Sequence, residues 1–224
     1  MSNDNEKYWQ KLKLSSIKSK KSKISTDDMF QNLLYISSLI EEFENFVFFG
    51  TLLGLVRDNN IIADDDDIDF YVNINHRDKL VKKLKSHSII IDENVSINKT
   101  NYFLQAFRKF DDKIFLIDFY FYDSNVDKEF IIEKWNFQGM PNIEGKHLRI
   151  PKIFIYPIQN KKYKSGLINF PSQEIQLCEF LYGPNWKKKI KKDEDYTIKV
   201  INNKPVLFKI KKSFFNNKLE IDLT

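Results

Sequence analysis

Residues 48–73 read FFGTLLGLVRDNNIIADDDDIDFYVN and put five carboxylates into six positions, Asp64 to Asp67 and then Asp69. The acidic run follows a Gly50-Thr51 break and leads into Ile68-Asp69-Phe70-Tyr71-Val72, whose β-branched and aromatic content predicts a strand over 67–72. If the chain is extended from Asp65 to Val72, a period of two sends Asp65, Asp67 and Asp69 to one face and Asp64 and Asp66 to the other. Carboxylates sharing a face raise one another's pKa unless a cation lies between them. Hard oxygen ligands on a strand suit Mg²⁺ or Mn²⁺, with positions left open for phosphate oxygens. A solvated acidic loop has the same composition. An EF-hand loop does not fit, because counting from Asp65 its Gly and Glu positions hold Phe70 and His76.

The flanking sequence supplies complementary chemistry. Phe46 to Phe49 reads as a short buried strand, and Leu52 to Arg57 as one or two helical turns. Gly50 lets backbone approach a ligand, Thr51 offers a hydroxyl and an amide, and the helix start presents N–H groups to a phosphate. Arg57 is a candidate phosphate clamp, since a guanidinium engages two oxygens at once; pairing with a surplus aspartate is the other reading. Asp118 stands inside the apolar alternation Phe115 to Tyr120, where burying an unpartnered carboxylate is costly. A neutral, hydrogen-bonded Asp118 is the structural alternative. Arg108 and Lys109, on the preceding strand, are weaker candidates for a donor phosphate, and Gln105 for a base or hydroxyl. The aromatic residues, 15% of the chain, include candidates for stacking on a cytosine or enclosing a choline cation, although most of the 20 Phe read as core. His76, His87 and His147 have no ligand spacing.

Around these motifs the chain reads as a mixed α/β (α+β) domain. Residues 25–44 predict a helix capped by Ser25 or Thr26, with Asp27 and Asp28 at its positive end and Met29, Leu33, Ile36, Ile40 and Phe43 on one face. A second helix is predicted from His76, then extended segments near 88–97, 101–110 and 113–123, with Asp111-Asp112 as a hairpin turn. Pro171 to Trp186 predicts a further helix with Ile175, Cys178, Leu181 and Tyr182 on one side. The order of 187–224 is left open.

Composition bounds the class. The 224 residues suit one sizeable domain, and 42% apolar with 30% charged residues is ordinary for a globular protein. One cysteine, Cys178, excludes an internal disulfide and fits a reducing compartment; no Cys/His zinc pattern is present. The N-terminus has no apolar signal-peptide core, and no window reaches the length of a membrane span. The net charge of +5 is uneven: residues 1–25 carry +5, residues 186–224 carry +6, and the middle carries −6. Basic ends of this kind either contact nucleic acid or an anionic membrane surface, or are simply solvated.

Gly50-Thr51-Leu52-Leu53-Gly54, Arg57 and Asp65-Asp66-Asp67-Ile68-Asp69 together resemble the signature of the LicD/fukutin family, within the nucleotidyltransferase fold of DNA polymerase beta-like enzymes. Leu116 to Asp123, LIDFYFYD, is similar to the family's strand carboxylate followed by an aromatic. Tyr156-Pro157, Gly166, Phe170-Pro171 and Leu181-Tyr182-Gly183 resemble its C-terminal half, so the likeness spans roughly residues 30–187. Family members usually carry Pro-Trp before the acids, where this chain has Ala63-Asp64, which bears on the shape of the substrate pocket.

The resemblance implies a nucleotidyltransferase-like mixed sheet flanked by helices, with a C-terminal helical extension. It divides the chain into a basic segment 1–25, a LicD domain 26–186 and a Lys-rich extension 187–224. It implies transfer of a phosphorylated group, of phosphocholine or alditol phosphate type, from a CDP-activated donor to a glycan or glycolipid hydroxyl. Asp67 and Asp69 would hold Mg²⁺ or Mn²⁺, and Asp118 would complete a metal position or act on the acceptor hydroxyl. Gly50, Thr51, Arg57, Asp65 and Arg108 would face the donor. The expected location is cytoplasmic, with peripheral membrane contact through the Lys-rich ends. A metal-dependent glycosyltransferase is the alternative enzyme, since it also holds a nucleotide-sugar diphosphate through Asp-x-Asp; it needs neither the Gly-Thr turn nor a third strand carboxylate. A non-catalytic nucleic-acid binder is disfavoured by the acidic centre.

Overall fold

The computed structural model describes residues 24–92, 102–133 and 148–189, and the backbone of three strands at 196–201, 204–212 and 219–222. Most of the basic segment 1–25 therefore lies outside the described residues, as does the part of the 88–97 segment beyond residue 92. The chain divides into two compact units, one of residues 1–121 with 160–169 and one of residues 122–159 with 170–224.

The first unit begins with α1, Thr26–Leu39, and the Ser25 side chain caps it by accepting from the Asp28 amide at 3.1 Å. The helix stops at Leu39, short of the predicted residue 44, but the predicted apolar positions are all in the core: Met29, Leu33 and Ile36 on the helix, Ile40 and Phe43 just beyond it. Each such side chain contributes about 1.5–3 kcal/mol by leaving water. The chain then forms β1 (Asn45–Val47), α2 (Phe49–Asp58), β2 (Asp67–Asn73), α3 (Arg77–Ser86), β3 (Ile90–Asp92), β4 (Phe103–Phe110) and β5 (Lys113–Asp123). In the sheet the order is β1-β2-β5-β4-β3. β1 with β2, β3 with β4, and β4 with β5 are antiparallel. The tight turn at Asp111, φ 51°, joins β4 to β5 and sets Gln105 opposite Asp118.

One glycine makes α2 possible where it is. A methyl on Gly54 would lie 2.7 Å from the Asn60 carbonyl oxygen and 2.9 Å from the Ile62 nitrogen, so only a glycine lets the returning chain pack here. α2 ends at Asn59, left-handed at φ 53°, whose N–H bonds the Gly54 carbonyl. The hairpin of β8 (Gln159–Tyr163) and β9 (Gly166–Phe170) braces this end: the Tyr163 hydroxyl bonds the Leu55 carbonyl at 3.0 Å and the Asn59 side chain.

In the second unit the end of β5, Tyr122 and Asp123, pairs with β6 (Phe130–Glu133), and β6 pairs antiparallel with β7 (Leu148–Pro151). Two helices follow, α4 (Lys152–Ile155) and α5 (Glu174–Tyr182), joined by the Ser172 and Gln173 amides bonding the Ile155 and Phe154 carbonyls. α5 stops at Gly183, φ +79°, a conformation that favours glycine. Its buried face is Leu177, Cys178 and Leu181, while the predicted Ile175 is 51% exposed. Beyond it the backbone forms an antiparallel three-stranded sheet of β10 (Tyr196–Ile201), β11 (Lys204–Lys212) and β12 (Leu219–Asp222). Among the described residues, no helix is long and apolar enough to cross a membrane.

Candidate active site

β2 and β5 are hydrogen-bonded neighbours, and their carboxylates meet. One carboxylate oxygen from each of Asp67, Asp69 and Asp118 lies within 4.8 Å of the others, and Asp65, Asp66 and Asp67 form a second group of the same tightness. Asp67 belongs to both. Asp69 and Asp118 are buried, at 5% and 6% exposure, and Asp66 is exposed. The strand begins at Asp67 rather than Asp65, because Asp64 turns the chain with φ 64°. Asp65 nevertheless projects toward the same place as Asp69: a methyl on Gly50 would lie 3.1 Å from an Asp65 oxygen and 3.4 Å from an Asp69 oxygen.

The start of α2 is fastened to these acids. The Asp69 amide donates to the Thr51 hydroxyl at 2.8 Å, and the Thr51 amide donates to the Asp69 carboxylate at 3.4 Å. Thr51 is fully buried, so both groups rely on each other rather than on water. Across β4 and β5, Gln105 donates its side-chain N–H to the Asp118 carboxylate at 3.0 Å and fixes its orientation.

Burial pushes the Asp69 carboxyl well above its ordinary range, helped by the charges of Asp67, Asp118 and Asp65; the Thr51 amide pulls the other way. A buried acid with three acidic neighbours ionises readily only beside a cation. The donor set is all hard oxygen, and three of its five carboxylates lie on strands, which fits a divalent cation of the Mg²⁺ or Mn²⁺ kind.

Arg57 and Arg108 each have a side-chain partner in the structure. Arg57 forks onto Asp58, with bonds of 3.1 and 2.8 Å. It stands about 10 Å along α2 from Gly50 at the standard rise per residue. Arg108 donates to Asn32 of α1 at 2.9 Å and lies 3.9 Å above the Tyr35 ring. Three positions separate Arg108 from Gln105, so strand alternation turns it to the face opposite Asp118. Phe49 precedes Gly50 and Tyr120 lies two residues beyond Asp118; neither is singled out in the sequence among the aromatic residues.

A family model described as LicD/FKTN/FKRP, nucleotidyltransferase domain, matches residues 43–173. That match covers more than half of the chain, and the chain belongs to this family: it is a transferase with a nucleotidyltransferase-like mixed sheet flanked by helices. A similar solved structure is that of the lincosamide antibiotic adenylyltransferase LnuA with lincomycin bound, at 18% identity and a TM-score of 0.44, covering 66% of this chain and 82% of that one. No curated protein matches the chain.

Proposed function

We propose that the chain transfers a phosphorylated group, of phosphocholine or alditol or sugar phosphate type, from a CDP-activated donor to a glycan hydroxyl. The observation that carries this reading is the convergence of Asp67, Asp69 and Asp118 within 4.8 Å beside the Gly50-Thr51 start of α2. A divalent cation held by these carboxylates would offset charge on the donor's diphosphate and on the departing CMP. Gly50, having no side chain, would let a phosphate oxygen come close to backbone. Asp118, oriented by Gln105, is assigned to receive the proton of the acceptor hydroxyl as its oxygen bonds to phosphorus and the bond from phosphorus to the CMP oxygen breaks. Asp65 adjusts the charge around Asp69 from the side of Gly50.

Family membership favours this reading over a nucleotide-sugar glycosyltransferase, and so does the third carboxylate on β5. The test is calorimetric titration of CDP and CDP-choline with and without Mg²⁺, in wild type and in Asp67→Ala/Asp69→Ala. Metal-dependent binding that the double variant loses is the expected result. Binding of CDP without metal, or of UDP or GDP but not CDP, would overturn the donor assignment.

A further inference from the structure

The cation and phosphate assignments leave the aromatic residues around the site without a part. Phe48 and Tyr71 are fully buried and stack with centroids 4.4 Å apart, and Phe103 is also buried. Phe49 and Tyr120 belong to the same cluster but keep part of their surface open, and their rings meet edge to face at 4.9 Å. Both border the carboxylates. Phe49 immediately precedes Gly50, and Tyr120 lies two residues beyond Asp118, on the same face of β5.

The backbone of Phe49 adds a second, independent sign. Its φ is +39°, in the left-handed region that a bulky residue occupies only when its surroundings hold it there. A glycine would relieve that strain; the chain places a partly exposed aromatic residue there instead. Resting on the donor reading above, we infer that Phe49 and Tyr120 form a stacking platform for the nucleobase of the nucleoside diphosphate. The diphosphate then lies at Gly50 and Thr51, with the base against the neighbouring rings. Stacking engages the π-face that every base has, so this platform supplies affinity and not the choice between bases.

The experiment compares CDP, CDP-choline, UDP and inorganic pyrophosphate, each titrated with Mn²⁺ into wild type, Phe49→Leu, Tyr120→Leu and Phe49→Tyr. The expected result is an about tenfold weakening of both CDP and UDP in each Leu variant, with Mn²⁺ and pyrophosphate affinities unchanged and the Phe49→Tyr variant close to wild type. Equal weakening of CDP and pyrophosphate would mean that the rings only hold the phosphate site in shape, and unchanged CDP affinity would also overturn the platform. A weakening of CDP-choline without a weakening of CDP would assign the rings to the head group instead. Wild-type protein that binds Mn²⁺ but neither CDP nor pyrophosphate would sink the donor reading, and the platform with it.

Discussion

Thr51 and Asp69 hold each other from both sides: the Asp69 amide donates to the Thr51 hydroxyl at 2.8 Å and the Thr51 amide to the Asp69 carboxylate at 3.4 Å. Thr51→Val keeps the volume and the amide but leaves the buried Asp69 N–H without its acceptor. A loss of about 1–3 kcal/mol in urea unfolding is expected, with weaker Mn²⁺ binding. Thr51→Ser keeps the hydroxyl and most of the stability. If Val and Ser variants unfold alike, the hydroxyl is not what joins α2 to β2.

Gly50 and Gly54 are four residues apart on one helix yet respond differently to a methyl group. At Gly50 the nearest atoms are carboxylate oxygens of Asp65 and Asp69, and the Asp65 side chain is able to swing away. Gly50→Ala is expected to fold with a stability change within about 1 kcal/mol while losing metal or pyrophosphate affinity. At Gly54 the obstacles are backbone atoms of Asn60 and Ile62 at 2.7 and 2.9 Å. Gly54→Ala is expected to lose about 1–3 kcal/mol. Thermal unfolding together with calorimetric titration separates the two effects.

Asp69 connects stability to pH, and on the proposed function to metal as well. Its native pKa is raised, first by burial and then by Asp67, Asp118 and Asp65, so the folded state holds that proton more tightly than the unfolded chain does. The metal-free protein has this stability in full below the unfolded carboxyl range and loses it as pH rises through the raised native value. Asp69→Asn removes the loss. In EDTA at pH 8 the variant should melt higher than wild type, by about 2–4 °C for each kcal/mol relieved, with the gap closing toward pH 4. Mn²⁺ should raise the wild-type Tm and leave the variant's unchanged. A variant that melts lower than wild type in EDTA at pH 8 would contradict this account.

The buried face of α5 gives a prediction independent of the site. Leu177 is fully buried and Ile175 is 51% exposed. Leu177→Ala should cost about 2–5 kcal/mol, and Ile175→Ala no more than about 0.5 kcal/mol. Similar losses in denaturant unfolding would put Ile175 back on the packed side.

Much of the fold is legible because local signals coincide with tertiary demands. In α1 the Ser25 cap, the acidic first turn and the stripe Met29, Leu33 and Ile36 all point to one helix in one orientation. In β2, Ile68, Phe70 and Val72 read as strand and are strand. What is not legible depends on contacts far apart in the chain or on rotamers. Arg108 is drawn over Tyr35 of α1, and Arg57 folds onto its neighbour Asp58, although Arg57 reads in sequence as a candidate phosphate clamp and Arg108 as a weaker one. Ile175 and Leu177 are interchangeable by composition, and only packing decides which one is covered. The strands beyond residue 195 are masked in sequence by their Lys- and Asn-rich composition. Within the candidate site, Asp118 draws attention because a lone acid interrupts an apolar run. Its partnership with Gln105 follows only from the register of β4 against β5.

That Asp69 and Asp118 stand on adjoining strands also governs how this site is able to vary. Their spacing is inherited from the hydrogen-bond ladder, about 4.8 Å from strand to strand, and not from side-chain adjustment. The sheet therefore works as a fixed gauge. Loops and neighbouring residues are free to diverge around it and reshape what enters, but the span between the two acids changes only by whole steps of the backbone lattice.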